Sequence, residues 1–447
     1  SIELIEDSVK STTVHHYKQT ANPLEPKTWQ SSFNHCRMGN LCSQSSAAHG
    51  SNGSVSVKNF EIERVVGKGG FGKVNCVKKR VGDDKGTYYA MKTIWKKEGF
   101  RSASAEDMLF NERTILQHVN HPRLVNMIYA FQDKYCCYLV LDLALGGDLE
   151  YQRGTRAGKA FDEDTSRFYI AQLLLALEYV HGLNVLHRDV KPENLVLGAN
   201  GYIKLTDFGI SKYMNSNRRC NARSGTSVYM APEITSKVVG VDGATIGHGM
   251  AADLYATGIT LFIFVTGVLP IPARPRSKKK PGVTDDERRS SQLGKMEKKE
   301  TTQTIVHDTL NQSAELSQEC KELIVRLIDC NENIRMMKGA PHEDLEDKGA
   351  HTRLRHHPWL ASFDWQGLKD MSMQAPFLPD TSRANCNTGH DDASDTLLGG
   401  GDIEAPSLTS AQKQRLETYD FNAFVPTEED KENPRATAYR PNQVAPK

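Results

Sequence analysis

One ordered set of motifs constrains this chain more than any other feature. His187-Arg188-Asp189-Val190-Lys191-Pro192-Glu193-Asn194 comes first, then Asp207-Phe208-Gly209, then Ala231-Pro232-Glu233. Each is short, but a chance match to all three in this order and spacing is negligible. The residue types suit one task. A carboxylate at Asp189 can orient a hydroxyl and accept its proton. Asp207 and Asn194 offer oxygen donors of the kind Mg²⁺ prefers. Lys191, just past Asp189, can neutralise charge on a group in transfer.

Upstream lies Gly67-Lys68-Gly69-Gly70-Phe71-Gly72-Lys73-Val74. A GxGxxG pattern alone is weak, because dinucleotide-binding folds use it to join a strand to a helix. Here strand-like residues flank it on both sides, at 60–66 and 73–79. It therefore reads as a β-hairpin whose glycines let backbone amides approach phosphate oxygens with no Cβ in the way. A third strand, 88–94, carries Ala90-Met91-Lys92. A lysine at a strand end in an apolar setting can hold the α- and β-phosphates of a nucleotide. It needs a carboxylate to fix it, and Glu112, within the helix expected at 105–117, is the best candidate. Strands at 125–131 and 137–141 complete an antiparallel sheet with one helix. Beyond Leu149 the pattern turns helical, at 164–181, 251–266 and 317–329. The longest apolar run, about 255–271, is shorter than the roughly 20 residues of a spanning helix and reads as a buried core helix.

This set resembles the protein kinases, and a lysine at position 191 resembles the serine/threonine kinases and not the tyrosine kinases. Phe60 to about Trp359 is similar to the AGC group. Trp365 and Ala375-Pro376-Phe377-Leu378-Pro379 resemble that group's C-terminal extension. The stretches 124–132 and 139–149, with Arg383-Ala384-Asn385-Cys386, resemble the YANK subfamily. The resemblance implies an α+β, bilobal protein-kinase fold. Its small lobe, 60–142, has a five-stranded antiparallel sheet plus the αC helix at 105–117. Its large lobe, 143–360, is mainly helical, and an AGC-type tail follows at 361–447.

The resemblance also implies transfer of the γ-phosphoryl group of ATP, with Mg²⁺, to Ser and Thr hydroxyls of protein substrates. Lys92, Glu112, Asp189, Lys191 and Asn194 are then the catalytic set, with Asn194 and Asp207 as metal ligands. Gly67, Gly69, Gly70, Phe71 and Gly72 cover the phosphates. Val74, Ala90 and Val196 sandwich the adenine, Asp142 and Ala144 offer it backbone groups, and Leu141 is the gatekeeper. Leu116, Met127, His187 and Phe208 stack as a regulatory spine anchored by Asp253, and Glu233 pairs with Arg335. Asp148 and Glu193 border the nucleotide site and keep two acidic positions by which AGC kinases favour basic residues ahead of the target. A third falls on Ile263, so a weakened preference is expected. Lys92, Asp189, Asn194 and Asp207 are all present, which argues for an active enzyme over a pseudokinase scaffold.

Three places depart from the family pattern. Arg188 usually meets a phosphate on the activation segment, but the position of the phosphothreonine, counted back from Gly225-Thr226, is Ala222. Ser216 and Ser224 are nearby but out of place, and Arg218, Arg219 and Arg223 are expected to repel Arg188. Two readings follow: a segment ordered without phosphate, which is favoured, or one ordered by substrate or an acidic partner. Tyr419-Asp420-Phe421-Asn422-Ala423-Phe424 resembles a hydrophobic motif that docks on the small lobe. Val425-Pro426 follows it, so the usual phosphorylatable residue is absent. A disordered tail with scattered aromatics is the equal alternative. Finally, the charged stretch 274–300 reads as a solvated insertion.

The N-terminal part, 1–59, is polar and reads as disordered. Met38-Gly39-Asn40-Leu41-Cys42-Ser43 fits the pattern for N-myristoylation at Gly39, with Cys42 available for palmitoylation. The expectation is that translation starts at Met38. The protein would then be cytoplasmic and held at the inner face of the plasma membrane by its acyl chains. A net charge of +1 gives the whole molecule no electrostatic attraction to nucleic acid. The nine cysteines have no metal-ligand spacing and read as reduced thiols. A monomer is expected.

Overall fold

The computed structural model describes residues 55–69, 72–235, 247–271, 301–336, 349–381 and 405–423. Gly39, Cys42, Gly70, Phe71, the 274–300 stretch, Arg383–Cys386 as numbered 383–386, and Phe424 lie outside the described residues.

Five strands form the small lobe: β1 (Phe60–Gly69), β2 (Gly72–Lys79), β3 (Tyr88–Trp95), β4 (Met127–Gln132) and β5 (Cys136–Leu141). They are antiparallel in the order β1-β2-β3-β5-β4. Side chains alternate across a strand, so β3 sends Tyr89 and Met91 into a core with Phe60, Val77 and Tyr138, and Ala90 and Lys92 to the opposite face. A short helix α1 (Lys96–Gly99) leads to α2 (Ala103–His118). Ser102 starts α2 by accepting from the Ala105 amide at 3.1 Å, a cap worth about 1 kcal/mol. Its buried face carries Leu109, Glu112, Ile115 and Leu116, the i, i+3, i+4 spacing of a helix packed on a sheet.

The large lobe is mainly helical. After α3 (Leu149–Gly154), α4 (Glu163–Gly182) is capped by Asp162 and buries most of its length. Short strands β6 (Val185–Leu186), β7 (Leu195–Leu197), β8 (Ile203–Leu205) and β9 (Lys212–Tyr213) flank the loops that carry the motifs, in the pairs β6-β9 and β7-β8. Then come α5 (Pro232–Thr235) and α6 (Ala251–Thr266). The apolar run is a core helix through its first part, for α6 is buried from Ala251 to Phe264, but Val268, Leu269 and Ile271 lie past the helix and are exposed. The helix stops at Gly267, at φ 70°, where an added Cβ would sit 2.3 Å from the Gly158 carbonyl oxygen.

The tail extends this five-stranded sheet by one strand. A sixth strand, Phe421–Asn422, pairs antiparallel with β4, Phe421 opposite Ala130. The Ala423 amide donates to the Ile128 carbonyl at 2.9 Å. The outer edge of β4 carries unpaired backbone groups, and the tail satisfies them. Asp364 and Thr409 cap the helices Trp365–Lys369 and Ser410–Glu417.

Candidate active site

The register of the small lobe assembles one wall of a cleft. Val74 lies opposite Lys92 across β2–β3, and Ala90 opposite Leu141 across β3–β5. Gly72 closes the hairpin where nothing larger fits, since a Cβ there would lie 1.8 Å from the Thr93 carbonyl oxygen. Gly67 and Gly69 lie on the facing strand. Beneath is a cavity of about 210 Å³ lined by Val74, Lys92, Glu112, Asp189 and Asp207 among others.

Lys92 and Glu112 meet across this cavity. Lys92 Nζ donates to both carboxylate oxygens, at 2.7 and 2.9 Å. Asp207 Oδ1 lies 3.9 Å from the same nitrogen. Burial works against the Lys92 charge, but Glu112 and Asp207 outweigh it and raise its pKa, so it stays an ammonium. Burial lifts Glu112 as well, with Asp207 adding like charge, while Lys92 opposes the rise.

Asp189 is buried and held on both oxygens. Oδ2 accepts from Lys191 Nζ at 2.7 Å and Asn194 Nδ2 at 3.0 Å. Oδ1 accepts from the Thr226 hydroxyl at 2.7 Å and its amide at 3.2 Å. Lys191 also reaches the Thr226 hydroxyl, at 2.9 Å. Burial pushes the Asp189 carboxyl up, but the bonds from Lys191 and Thr226 and the Lys191 charge win and hold it below the usual carboxylate range. It is thus an ionised carboxylate. Thr226 was only a counting mark in the sequence, and a single threonine beside a glycine carries no signal of this role.

The loop before Asp189 is clamped from below. Asp253 on α6 accepts from the amides of His187 and Arg188, at 2.9 and 2.8 Å. The His187 ring meets Phe208 edge-on at 5.1 Å, within the core that also holds Leu116 and Met127. Asp207 sits in the left-handed region, φ 66°, with its carboxylate half-exposed to the cleft. The Asn194 amide nitrogen is engaged with the Asp189 carbonyl, at 2.7 Å, as well as with its carboxylate. Its carbonyl oxygen and the Asp207 carboxylate are the hard donors left for a cation, a set that fits Mg²⁺.

At the rear of the cleft, Asp142 follows Leu141. Its carboxylate accepts from the Asn126 amide and side chain, at 3.1 and 2.8 Å, and from Lys204 Nζ at 2.9 Å. Lys204 and Asn126 carry no motif, and sequence reasoning missed them. Ala144 lies two residues on. Asp148 caps α3 through the Tyr151 amide, at 2.7 Å, and forms a β-bridge with Val196. Burial raises the pKa of Asp148, and Glu150 adds to the rise. Burial likewise raises Glu193, with Glu150 and Asp148 contributing like charge, so the three acids share one patch.

Comparison with known proteins agrees with this geometry. The family profile described as "Protein kinase domain" matches residues 60–360. The chain belongs to the protein kinase family. Members of that family use ATP and Mg²⁺. The kinase is 35% identical over 337 residues to "Putative ribosomal protein S6 kinase alpha-1" of Caenorhabditis elegans, covering 75% of this chain and 37% of the relative. It is 34% identical over 339 residues to "Serine/threonine-protein kinase AtPK2/AtPK19" of Arabidopsis thaliana, covering 76% and 62%. It is 31% identical over 431 residues to "Ribosomal protein S6 kinase alpha-6" of Danio rerio, covering 95% and 51%. The matched part is thus 37% to 62% of the length of these relatives.

The activation segment of the kinase corrects one expectation. The segment's arginines do not crowd Arg188. Arg219 pairs with Glu332 at 2.6 Å, Arg218 donates to the His181 carbonyl at 3.2 Å, and Arg223 is exposed. Arg188 donates to the Ile210 carbonyl at 2.7 Å through Nε and to the Ala222 carbonyl at 2.8 Å through Nη1. Downstream, Glu233 pairs with the fully buried Arg335.

The C-terminal segment packs on α2. Tyr419 is buried against Phe110, ring centroids 6.1 Å apart. Arg113, next to Glu112, donates to the carbonyls of Tyr419 and Asp420 at 2.9 and 3.1 Å. Gln132 Nε2 donates to the Leu416 carbonyl at 2.7 Å, and Arg415 pairs with Glu106 at 2.5 Å.

Proposed function

We propose that this chain is an active serine/threonine protein kinase of the AGC, S6 kinase-like type. The observation that carries the proposal is Asp189, an ionised carboxylate facing a cleft in which Lys92, Glu112 and Asp207 are already assembled. Lys92 binds the α- and β-phosphates and is kept in place by Glu112. Asp189 orients the substrate hydroxyl and accepts its proton as the oxygen bonds the γ-phosphorus, while the bond from that phosphorus to the β,γ-bridging oxygen breaks and ADP leaves. Lys191, bonded to Asp189 and Thr226, neutralises charge on the transferring group. Mg²⁺, held by Asp207 and Asn194, would supply further neutralisation of the phosphates. The test is phosphate transfer from labelled ATP to Ser and Thr peptides, with Asp189→Asn beside it. Transfer by the mutant at the wild-type rate would sink the assignment.

Finer readings follow from the same site. The acidic patch of Asp148 and Glu193 supports a preference for basic residues ahead of the target Ser or Thr. Ile263 is buried in the core and adds no charge to that patch, so the preference is weaker than in AGC kinases with all three acids. Peptides with and without upstream arginines measure it. The contacts of Arg188 support a segment ordered without phosphate. The stretches at 124–132 and 139–149 support the YANK subfamily. The Met38-Gly39 pattern supports a membrane anchor through Gly39 and Cys42, provided Gly39 becomes the N-terminus. In cells, Gly39→Ala in a protein starting at Met38 should then move it from membrane to cytosol, and a wild type already soluble would refute the anchor.

A further inference from the structure

Beneath the catalytic loop lies a chain of buried groups that the mechanism above does not use. Asp253 Oδ2, which accepts the His187 amide, is also 2.8 Å from His181 Nε2 at the end of α4. His181 Nδ1 is in turn 2.9 Å from His351 Nε2, on the helix Ala350–Arg355. The side chains of His181 and Asp253 are 2% and 1% exposed. His351 Nδ1 is buried with no hydrogen-bond partner among the described residues.

The partners determine where the protons sit. Burial favours a neutral carboxyl at Asp253, but hydrogen bonding to His181 and the loop amides outweighs it and lowers its pKa. Asp253 is therefore an acceptor, and His181 Nε2 must carry a proton. With that one proton on His181 its Nδ1 is bare, and His351 Nε2–H donates to it. This leaves His351 Nδ1 as an unpaired acceptor. The reverse arrangement would need a second proton on His181 and would put an N–H donor at His351 Nδ1, which has no acceptor among the described residues. Burial also pushes the His351 pKa down to about 3, so this ring is neutral.

We propose that His351 is a positioning residue for phosphoryl transfer: its Nε2–H bonds His181 Nδ1, fixing the ring that donates to Asp253, which holds the His187 and Arg188 amides beside Asp189. With both edges bonded, the His181 ring has one orientation. Without His351 one edge is free, and the Asp253 clamp on the loop loosens. The proposal rests on the kinase reading for its effect on rate, but not for its effect on the loop.

The first measurement needs no variant. Nitrogen-15 NMR of the full chain should show His181 protonated at Nε2 and bare at Nδ1; a proton on Nδ1 overturns the assignment. Then His351→Leu, which fills space but cannot donate, is compared with His351→Gln, which can. The expected result is a kcat about tenfold lower in the Leu variant, the equivalent of one buried hydrogen bond, with KM for ATP unchanged. Amide hydrogen exchange at His187 and Arg188 should quicken in step, and Gln should restore both. Unchanged exchange and kcat in the Leu variant, or equal losses with Leu and Gln, overturn the proposal. If the wild type transfers no phosphate, the kinase reading fails, while the order of exchange rates still decides whether His351 holds the loop.

Discussion

Arg188 Nη1 donates to the carbonyl oxygen of Ala222 at 2.8 Å. The residue at the usual phosphothreonine position thus meets the arginine with its backbone, which needs no modification. The Cys220–His248 β-bridge and the Arg219–Glu332 pair hold the same segment.

Phosphatase-treated protein should therefore keep its full rate. Ala222→Glu should change kcat by no more than about twofold, because Arg188 already has the Ile210 and Ala222 carbonyls as acceptors. A large activation of Ala222→Glu would show that the segment awaits negative charge.

Asp189→Asn removes the base and should lower kcat by about 10²–10⁴, the usual contribution of a positioned general base. ATP binding should persist, because Lys92 and Glu112 are untouched. Isothermal titration with ATP beside the transfer assay separates the two effects.

The Asp189 pKa is depressed in the folded protein, so the sign of its pH dependence is set. The stability it contributes is complete above its ordinary value of 3.8 and is lost as pH falls through the depressed value. The acid limb of kcat should lie correspondingly low. Lys191→Met removes the strongest bond and the nearest charge, leaves burial to dominate, and should move that limb upward. A pH–rate profile of the two proteins checks the direction.

Lys204→Met should remove the ammonium that donates to the buried Asp142 carboxylate at 2.9 Å. Breaking such a pair costs about 3 kcal/mol. Since Asp142 follows Leu141 at the rear of the cleft, KM for ATP should rise more than kcat falls. Denaturant unfolding and steady-state kinetics measure the two parts.

Tyr419→Ala should empty a fully buried site between the tail and α2. Large aromatic truncations cost about 3–5 kcal/mol, and here the loss is local to the docked tail. Hydrogen exchange in α2 should quicken and kcat should fall as the Lys92–Glu112 pair loses its support. Unchanged exchange in α2 would mean that the tail does not brace it.

Much of the site was legible because its chemistry needs particular side chains at short spacing. Asp189, Lys191 and Asn194 lie within one loop, and their roles follow from a carboxylate, an ammonium and an amide in that order. Even the Lys92–Glu112 pair could be anticipated, since a strand lysine facing phosphates needs a carboxylate and the next helix supplies one. The alternation in β3 and the long apolar run of α6 likewise announced their elements.

What stayed hidden depends on backbone atoms or on distant residues with no motif. Every residue has a carbonyl, so nothing in the sequence singles out Ala222 as the acceptor for Arg188, and the neighbouring arginines suggested repulsion instead. The sixth strand forms through main-chain groups at the edge of β4, which Phe421 and Asn422 do not advertise. Lys204 and Asp142 are brought together only when the lobes pack, and His351 and His181 only when their two helices pack within the large lobe. The sequence by itself determined the family, the motif residues that line the cleft and the order of the elements, because these rest on side-chain identity and local periodicity. Tertiary structure alone decided how Arg188 is satisfied, where the tail docks and what lies under the catalytic loop, because hydrogen bonding of the backbone is indifferent to residue type.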